Sequence, residues 1–443
     1  MRTSIAITAW LAAALCSGCD GDPLRPGDGP DRESRAVSKV EIVRTGDGWA
    51  LLRNGEPYAV RGAGFHDADM AVFASHGGNS FRTWHTGRTS AEGMRRLDEA
   101  LAHGLTVALC LDIARERHGF DYDDGAAVAE QLERAREEVL KYKDHPALLA
   151  WIIGNELNLG FRNPKVFDAV NDISRMIHEV DGNHPTTTAL AGFDAELARL
   201  VATRAPDLDF LSVQLYGNIL ELPRSIRESG YDGPLFVTEW GTRGHWEVPT
   251  TAWGAPIELP SSAKARHYLE SYRTAIAPYP QQVLGSYVFL WGQKQERTPT
   301  WYGMFLEDGS ETEAIDVMHY LWTGGWPDNR APHVDGLLLD SRAATDDVVV
   351  EAGQAYRAEV SASDPDGDPL AWEWIVMRES TATQQGGDAE AVPETLHGLV
   401  DDHADGSATL TAPAEAGAYR LFVHVRDGHG NAGHANLPFL VRD

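Results

Sequence analysis

Glu156 and Glu239 each close a short apolar run, Leu149-Ala-Trp-Ile-Ile-Gly-Asn-Glu156 and Leu235-Phe-Val-Thr-Glu239-Trp-Gly241. Such runs read as strands buried on both faces, and a carboxylate where one ends lies at the rim of a parallel sheet, where α/β folds keep their chemistry. Two carboxyl groups at one rim can divide labour. One stays protonated and serves as an acid, while the other is ionised and attacks. A single buried glutamate at a strand end is more simply explained as the partner of an arginine, so the case rests on the pair and its neighbours.

Both runs need a frame that brings them together. From about residue 39 short apolar runs alternate with longer amphipathic ones, the pattern of βα units. Candidate strands are Ala59 to Phe65, Ser80 to Trp84, Leu105 to Asp112, Ala150 to Asn155, Thr186 to Leu190, Phe210 to Leu215, Leu235 to Glu239 and Gly285 to Trp291. Helices are expected between them, at Ala91 to Ala102, Ala126 to Tyr142 and Ala263 to Ile276, with a last one at Glu313 to Leu321. Eight strand–helix units describe a (β/α)8 TIM barrel over residues 39–326, with the glutamates ending strands four and seven. Ahead of strand one, the stretch from Trp49 to Pro57 reads as a hairpin turning at Asn54-Gly55, placed to plug the barrel floor.

After Trp326-Pro327 the pattern changes to short strands and turns, predicting an immunoglobulin-like β-sandwich over residues 327–443. Its expected strands are Val348 to Val360, Leu370 to Met377, Ala408 to Ala412 and Tyr419 to Val425. Asp364, Asp366 and Asp368 form a calcium candidate, since hard cations take clustered oxygen ligands; the simpler reading is a turn whose aspartates bond to their own backbone. Segments such as Ala362-Ser-Asp-Pro-Asp-Gly-Asp368 resemble those of cadherin-like and PKD-like modules.

The 443 residues carry 38 basic and 66 acidic side chains, a formal charge of −28. That charge argues against nucleic acid and anionic membrane surfaces as partners. Residues 1–19 follow the order of a signal peptide: Arg2, an apolar stretch from Ile5 to Leu15, then Cys16-Ser-Gly-Cys19. Ser17-Gly18-Cys19 resembles the lipobox of bacterial lipoproteins, which implies an exported protein lipidated at Cys19, with residues 20–38 as a flexible tether. Cys110 then remains alone in an apolar run, so no disulfide or cysteine-ligated metal is expected. Membrane contact is expected through the lipid alone, and the protein is expected to be a monomer that uses no cofactor.

Residues 40–325 resemble the catalytic barrel of clan A glycoside hydrolases, most closely the family 2 type with affinities to family 5. Asn155-Glu156 matches the strand-four pair whose glutamate is the acid/base, and Thr238-Glu239-Trp240-Gly241 the segment carrying the nucleophile. Arg82-Thr-Trp-His85 matches the strand-two motif, while Gly62-Ala-Gly-Phe-His66 looks like the strand-one segment. Tyr216 corresponds to the tyrosine beside the nucleophile, and Trp291 to the strand-eight tryptophan under the sugar, implying a non-proline cis peptide at Trp291–Gly292.

The resemblance implies a retaining hydrolase of a β-linked carbohydrate, with carboxyl groups about 5 to 5.5 Å apart. Arg82 near Glu239 would hold that carboxylate ionised and Tyr216 would donate to it; Glu156, with no cation assigned, would keep its proton. Asn155 is the natural donor to the sugar 2-hydroxyl. His66, His85 and Trp240 complete the expected substrate-binding set. Trp84, Trp246, Trp253 and Trp301 also lie on or just after strand ends, where rings can stack on sugars.

Two alternatives stay open, a transglycosylase using the same glutamates and a non-catalytic carbohydrate-binding lipoprotein. The layout also departs from family 2, whose barrels usually follow a jelly roll and an immunoglobulin-like domain. A family 5 relative or a separate clan A family fits it as well.

Overall fold

Eight parallel strands close on themselves: β1 (Gly62–His66), β2 (Ser80–Arg82), β3 (Thr106–Leu111), β4 (Leu148–Asn155), β5 (Thr186–Ala191), β6 (Leu211–Gln214), β7 (Leu235–Trp240) and β8 (Val283–Gly292). Each pairs with its neighbours in sequence, and β8 pairs with β1. This is the TIM barrel that the strand count implied. The structure, a computed structural model, describes residues 36–66 and 68–443, with His66 described in its backbone alone. The expected leader, Cys19 and most of the tether lie outside the described residues.

Every residue of β4 and β8 is buried, as required of a strand with helices outside and packed side chains within. The helices are α1 (Met70–Ser75), α2 (Ser90–Ala102), α3 (Gly125–Tyr142), α4 (Lys165–Val180), α5 (Ala195–Arg204), α6 (Leu222–Ser229), α7 (Ser261–Ser271) and α8 (Glu313–Thr323). Several start where the sequence supplies a cap. Asp124 accepts from the N–H groups of Ala126 and Ala127, and Asp194 from that of Leu197, each cap contributing about 1 kcal/mol. The helix expected to Ile276 ends at Ser271 and continues as a wider π turn over Tyr272–Ile276.

A small antiparallel sheet, Val40–Thr45, Gly48–Arg53 and Glu56–Pro57, covers the floor. Its turn residues Asn54 and Gly55 have φ of 53° and 82°, the left-handed pair that a two-residue hairpin requires. Val40 and Leu51 bury against interior residues such as Leu149, Phe210 and Phe236, so the plug is apolar.

The C-terminal strands form two sheets. His333–Leu339 (β9), Ala355–Ser363 (β11), Ser407–Thr411 (β15) and Val400–Asp402 (β14) make one. Val349–Glu351 (β10), Ala432–Arg442 (β17), Gly417–Arg426 (β16), Ala371–Arg378 (β12) and Thr395–Leu396 (β13) make the other. A core of Leu337, Leu410, Leu421 and Phe439 lies between them. The single strand expected over 348–360 is broken by a turn at Gly353, with φ of 68°. β17 went unforeseen because it holds Pro438 and polar residues where alternation would be expected. Those residues are buried against the barrel: Asn436 Nδ2 donates to Glu258 at 2.6 Å, and the His434 N–H to Ser261 Oγ at 2.9 Å. Barrel and sandwich belong to one compact unit, Val37–Asp443.

Candidate active site

Four donors converge on the Glu239 carboxylate. Arg82 Nη1 from the end of β2 (3.2 Å), Trp84 Nε1 just beyond it (2.8 Å) and Gln214 Nε2 from the end of β6 (3.0 Å) reach Oε1; the Tyr216 hydroxyl donates to Oε2 at 2.8 Å. An ionised carboxylate, which accepts only, satisfies this set in full. Arg82 is fully buried beneath it and also donates to Asn155 Oδ1 at 2.8 Å, where Gln214 Nε2 adds a second bond at 2.7 Å. With two donors on its amide oxygen, Asn155 has its NH2 group left for the cavity. Burial, then the Glu239 charge, push the Tyr216 phenol well above its ordinary value, so it remains a donor.

Glu156 follows β4 in a different setting. Gly154, at φ 75°, turns the chain where an added Cβ would lie 2.6 Å from Leu157, and Glu156 itself holds φ 51°, a left-handed conformation uncommon for a non-glycine residue. Among the described residues its carboxyl group has no hydrogen bond or ion pair. Burial first, and the neighbouring Glu239 charge second, push it up to about 8, outweighing the more distant Arg117, Arg82 and Arg115.

Both glutamates line one cavity of about 600 Å³ at the C-terminal mouth of the barrel. Asn155, His85 and Tyr216 share it, with Trp84, Trp246 and Phe289 as aromatic walls. Among the described residues, His85 Nδ1 is buried without a partner, and burial lowers the ring's affinity for a proton. The Gln295 amide, also on the wall, has a partner among the described residues at neither its oxygen nor its nitrogen.

Residues 59–239, from the approach to β1 through Glu239, match the family model described as "Glycosyl hydrolases family 2, TIM barrel domain". That stretch of the barrel is similar to the family 2 barrel domain. Among solved structures the chain is similar to Bacteroides uniformis beta-glucuronidase 2 covalently bound to cyclophellitol-6-carboxylate aziridine, at 15% identity and TM-score 0.50, covering 91% of this chain and 48% of that one. It is also similar to the beta-D-glucuronidase of Dictyoglomus thermophilum (17%, TM-score 0.51, covering 66% and 54%) and that of Ruminococcus gnavus in complex with C6-substituted uronic isofagomine (15%, TM-score 0.51, covering 65% and 53%). At these identities the likeness is one of fold, and the chain spans about half the length of each. No curated protein matches it.

Within this barrel three expected substrate contacts lie elsewhere. Trp291 is fully buried on the outer face of β8, against Phe73, Phe305 and Trp322. The register slips between Val288 and Trp291, and a slip of this kind exchanges the faces of a strand. Phe289 takes the inward position instead, edge-on to Trp84 and Tyr216, and the non-proline cis peptide is Phe289–Leu290 rather than Trp291–Gly292. Trp240 is likewise turned outward by a register slip on β7, onto Tyr268 and Tyr272. Arg82 does not reach the cavity wall; it holds Glu239 and Asn155 from below. His66 ends β1, with its side chain outside the described residues.

Trp84, expected as a ring that can stack on a sugar, instead donates to Glu239, and Gln214 is a contact the sequence reading did not single out. Both stand inside the strand-two and strand-six motifs, and Gln214 is two residues before Tyr216, the spacing that shares a strand face. Of the calcium candidates, Asp364 and Asp368 come together with Asp427, whereas Asp366 accepts from the Arg330 N–H at 2.8 Å. Asp364 Oδ1 accepts from the N–H groups of Asp366 and Asp368, the bonding expected of a simple turn.

Proposed function

We propose that this protein is a retaining β-glycosidase in which Glu239 is the nucleophile and Glu156 the acid/base. The observation that carries this reading is the opposition of two carboxyl groups in one cavity: four donors on Glu239, and none among the described residues on Glu156, which burial keeps protonated. As a Glu239 oxygen bonds to the anomeric carbon, the bond to the leaving oxygen breaks and Glu156 gives that oxygen its proton. Glu156, now a carboxylate, takes a proton from water, whose oxygen displaces Glu239 and restores the starting state. Asn155 donates its NH2 to the 2-hydroxyl, a bond that strengthens in the transition state.

The charges on this wall are paired: Lys294 meets Glu296 at 2.8 Å, Arg297 meets Glu390 at 3.1 Å and Arg117 meets Asp388 at 3.3 Å. This lining therefore favours neither a neutral sugar nor a uronic acid by charge alone.

The test compares wild type with Glu239→Ala on β-glycans and aryl β-glycosides, following the anomer first released by NMR. Glu239-dependent cleavage with a β first product supports the reading; cleavage that survives the substitution, or an α first product, refutes it. Longer oligosaccharides at high substrate would reassign the second step to transfer. The N-terminal pattern supports export and lipid attachment at Cys19, tested by fatty-acid labelling that Cys19→Ser abolishes.

A further inference from the structure

The connection 379–394, between β12 and β13, has no regular structure of its own, and connections that long in a compact fold are usually functional. It leaves the sandwich and lies on the barrel. At one end Arg297, in the loop after β8, binds it four ways: its backbone N–H to Glu390 Oε2 at 2.7 Å, its guanidinium to the Glu390 carboxylate at 3.1 Å, Nη2 to the Gln384 carbonyl at 2.9 Å, and Nη1 to the Ala382 carbonyl. The Glu390 side chain is 1% exposed, so this is a buried anchor. Beyond it, Asp388 meets Arg117 at 3.3 Å and His118 at 3.0 Å, both in the loop after β3. Gly386 and Gly387, at φ 64° and 72°, let the backbone come close; a Cβ on Gly386 would lie 2.7 Å from Leu159, in the loop after β4.

These contacts fall on the loops after β8, β3 and β4, at the mouth of the barrel. Gly386, Asp388, Glu390 and Val392 of the connection line the cavity that holds Glu156 and Glu239. A groove for the interior of a polymer must be open at both sides. This one is walled on one side, and its volume of about 600 Å³ is that of a pocket burying a short ligand.

Resting on the glycosidase reading above, we infer that the sandwich connection 379–394 is a specificity-determining wall of the active site, restricting the enzyme to chain ends and short β-glycosides. The sandwich thus contributes directly to substrate selection.

The experiment uses the full-length protein and whichever β-glycan it cleaves in a Glu239-dependent way. Wild type is compared with a variant whose residues 384–392 are replaced by a short Gly-Ser link, and with Gly386→Val, which pushes the wall outward without a deletion. Thermal melting and circular dichroism verify folding. Wild type is expected to release mono- or disaccharide with little loss of polymer viscosity. Both variants are expected to cut internally, with viscosity falling at least tenfold more per bond broken. Internal cutting by wild type, or an unchanged product pattern in both variants, overturns the wall while leaving the glycosidase reading intact. Absence of Glu239-dependent cleavage of any β-glycoside overturns both.

Discussion

The ends of β4 and β7 begin from nearly the same material. Each is a buried apolar strand closing on a glutamate, yet Glu239 gathers Arg82, Trp84, Gln214 and Tyr216 while Glu156 gathers no donor among the described residues. Gln214 and Tyr216 come from strand six and its end, next to β7 in both sequence and sheet, whereas Arg82 and Trp84 come from strand two, 157 and 155 residues before Glu239, and reach it across the closed barrel. Two chemically identical side chains are given opposite surroundings by what the fold brings beside them, and burial beside Glu239 raises the proton affinity of Glu156.

Removing each carboxyl group breaks the contrast most sharply. Glu239→Ala is expected to lower kcat by on the order of 10⁴-fold or more. Azide should restore turnover with an α-glycosyl azide product; rescue with β configuration would reverse the two assignments. Glu156→Gln should cost about 10² to 10⁴-fold on substrates with poor leaving groups and much less on activated aryl glycosides, because only the former need a proton donated.

The same variant tests the pH dependence. Wild-type kcat/KM should fall as pH rises through the elevated range of Glu156, and Glu156→Gln should lose that limb. Stability follows the same sign. A carboxyl group whose folded pKa is raised above the unfolded value of about 4.3 contributes fully below that value and loses its contribution as pH climbs through the folded one. Thermal melts of wild type should therefore decline relative to Glu156→Gln across that window.

Smaller effects sharpen the picture on the Glu239 side. Tyr216→Phe removes one of four bonds and should lower kcat about tenfold, with roughly 0.5–1.5 kcal/mol lost in denaturant melts. Two tryptophans separate sugar contact from packing. Trp246, 58% exposed and on the cavity wall, should raise KM several-fold when changed to alanine and leave melting nearly unchanged. Trp291→Ala should instead destabilise by about 3–5 kcal/mol through the cavity it opens. Equal KM effects at both positions would contradict the outward placement of Trp291.

Strand count, floor hairpin and glutamate positions were readable because they depend on local pattern: period, apolar runs and an Asn-Gly turn. Trp291 and Trp240 were misread because register slips on β8 and β7 exchange which face a residue occupies, and a slip is set by the neighbouring strand's hydrogen bonding. β17 escaped because its polar residues are buried against the barrel, so its pattern records an interface instead of a solvent face.

By itself the sequence determined the eight-strand frame and the two glutamates ending strands four and seven, since both follow from short-range spacing; the Asn155 and Tyr216 companions were implied by the resemblance to clan A barrels. Only the tertiary structure decided that Trp84 and Gln214 share the task of holding Glu239, that Phe289 and not Trp291 faces the cavity, and that a sandwich connection more than 200 residues beyond Glu156 forms part of its wall. Those facts depend on barrel closure, strand register and domain docking, and the free energy of each is distributed over contacts between segments distant in the chain.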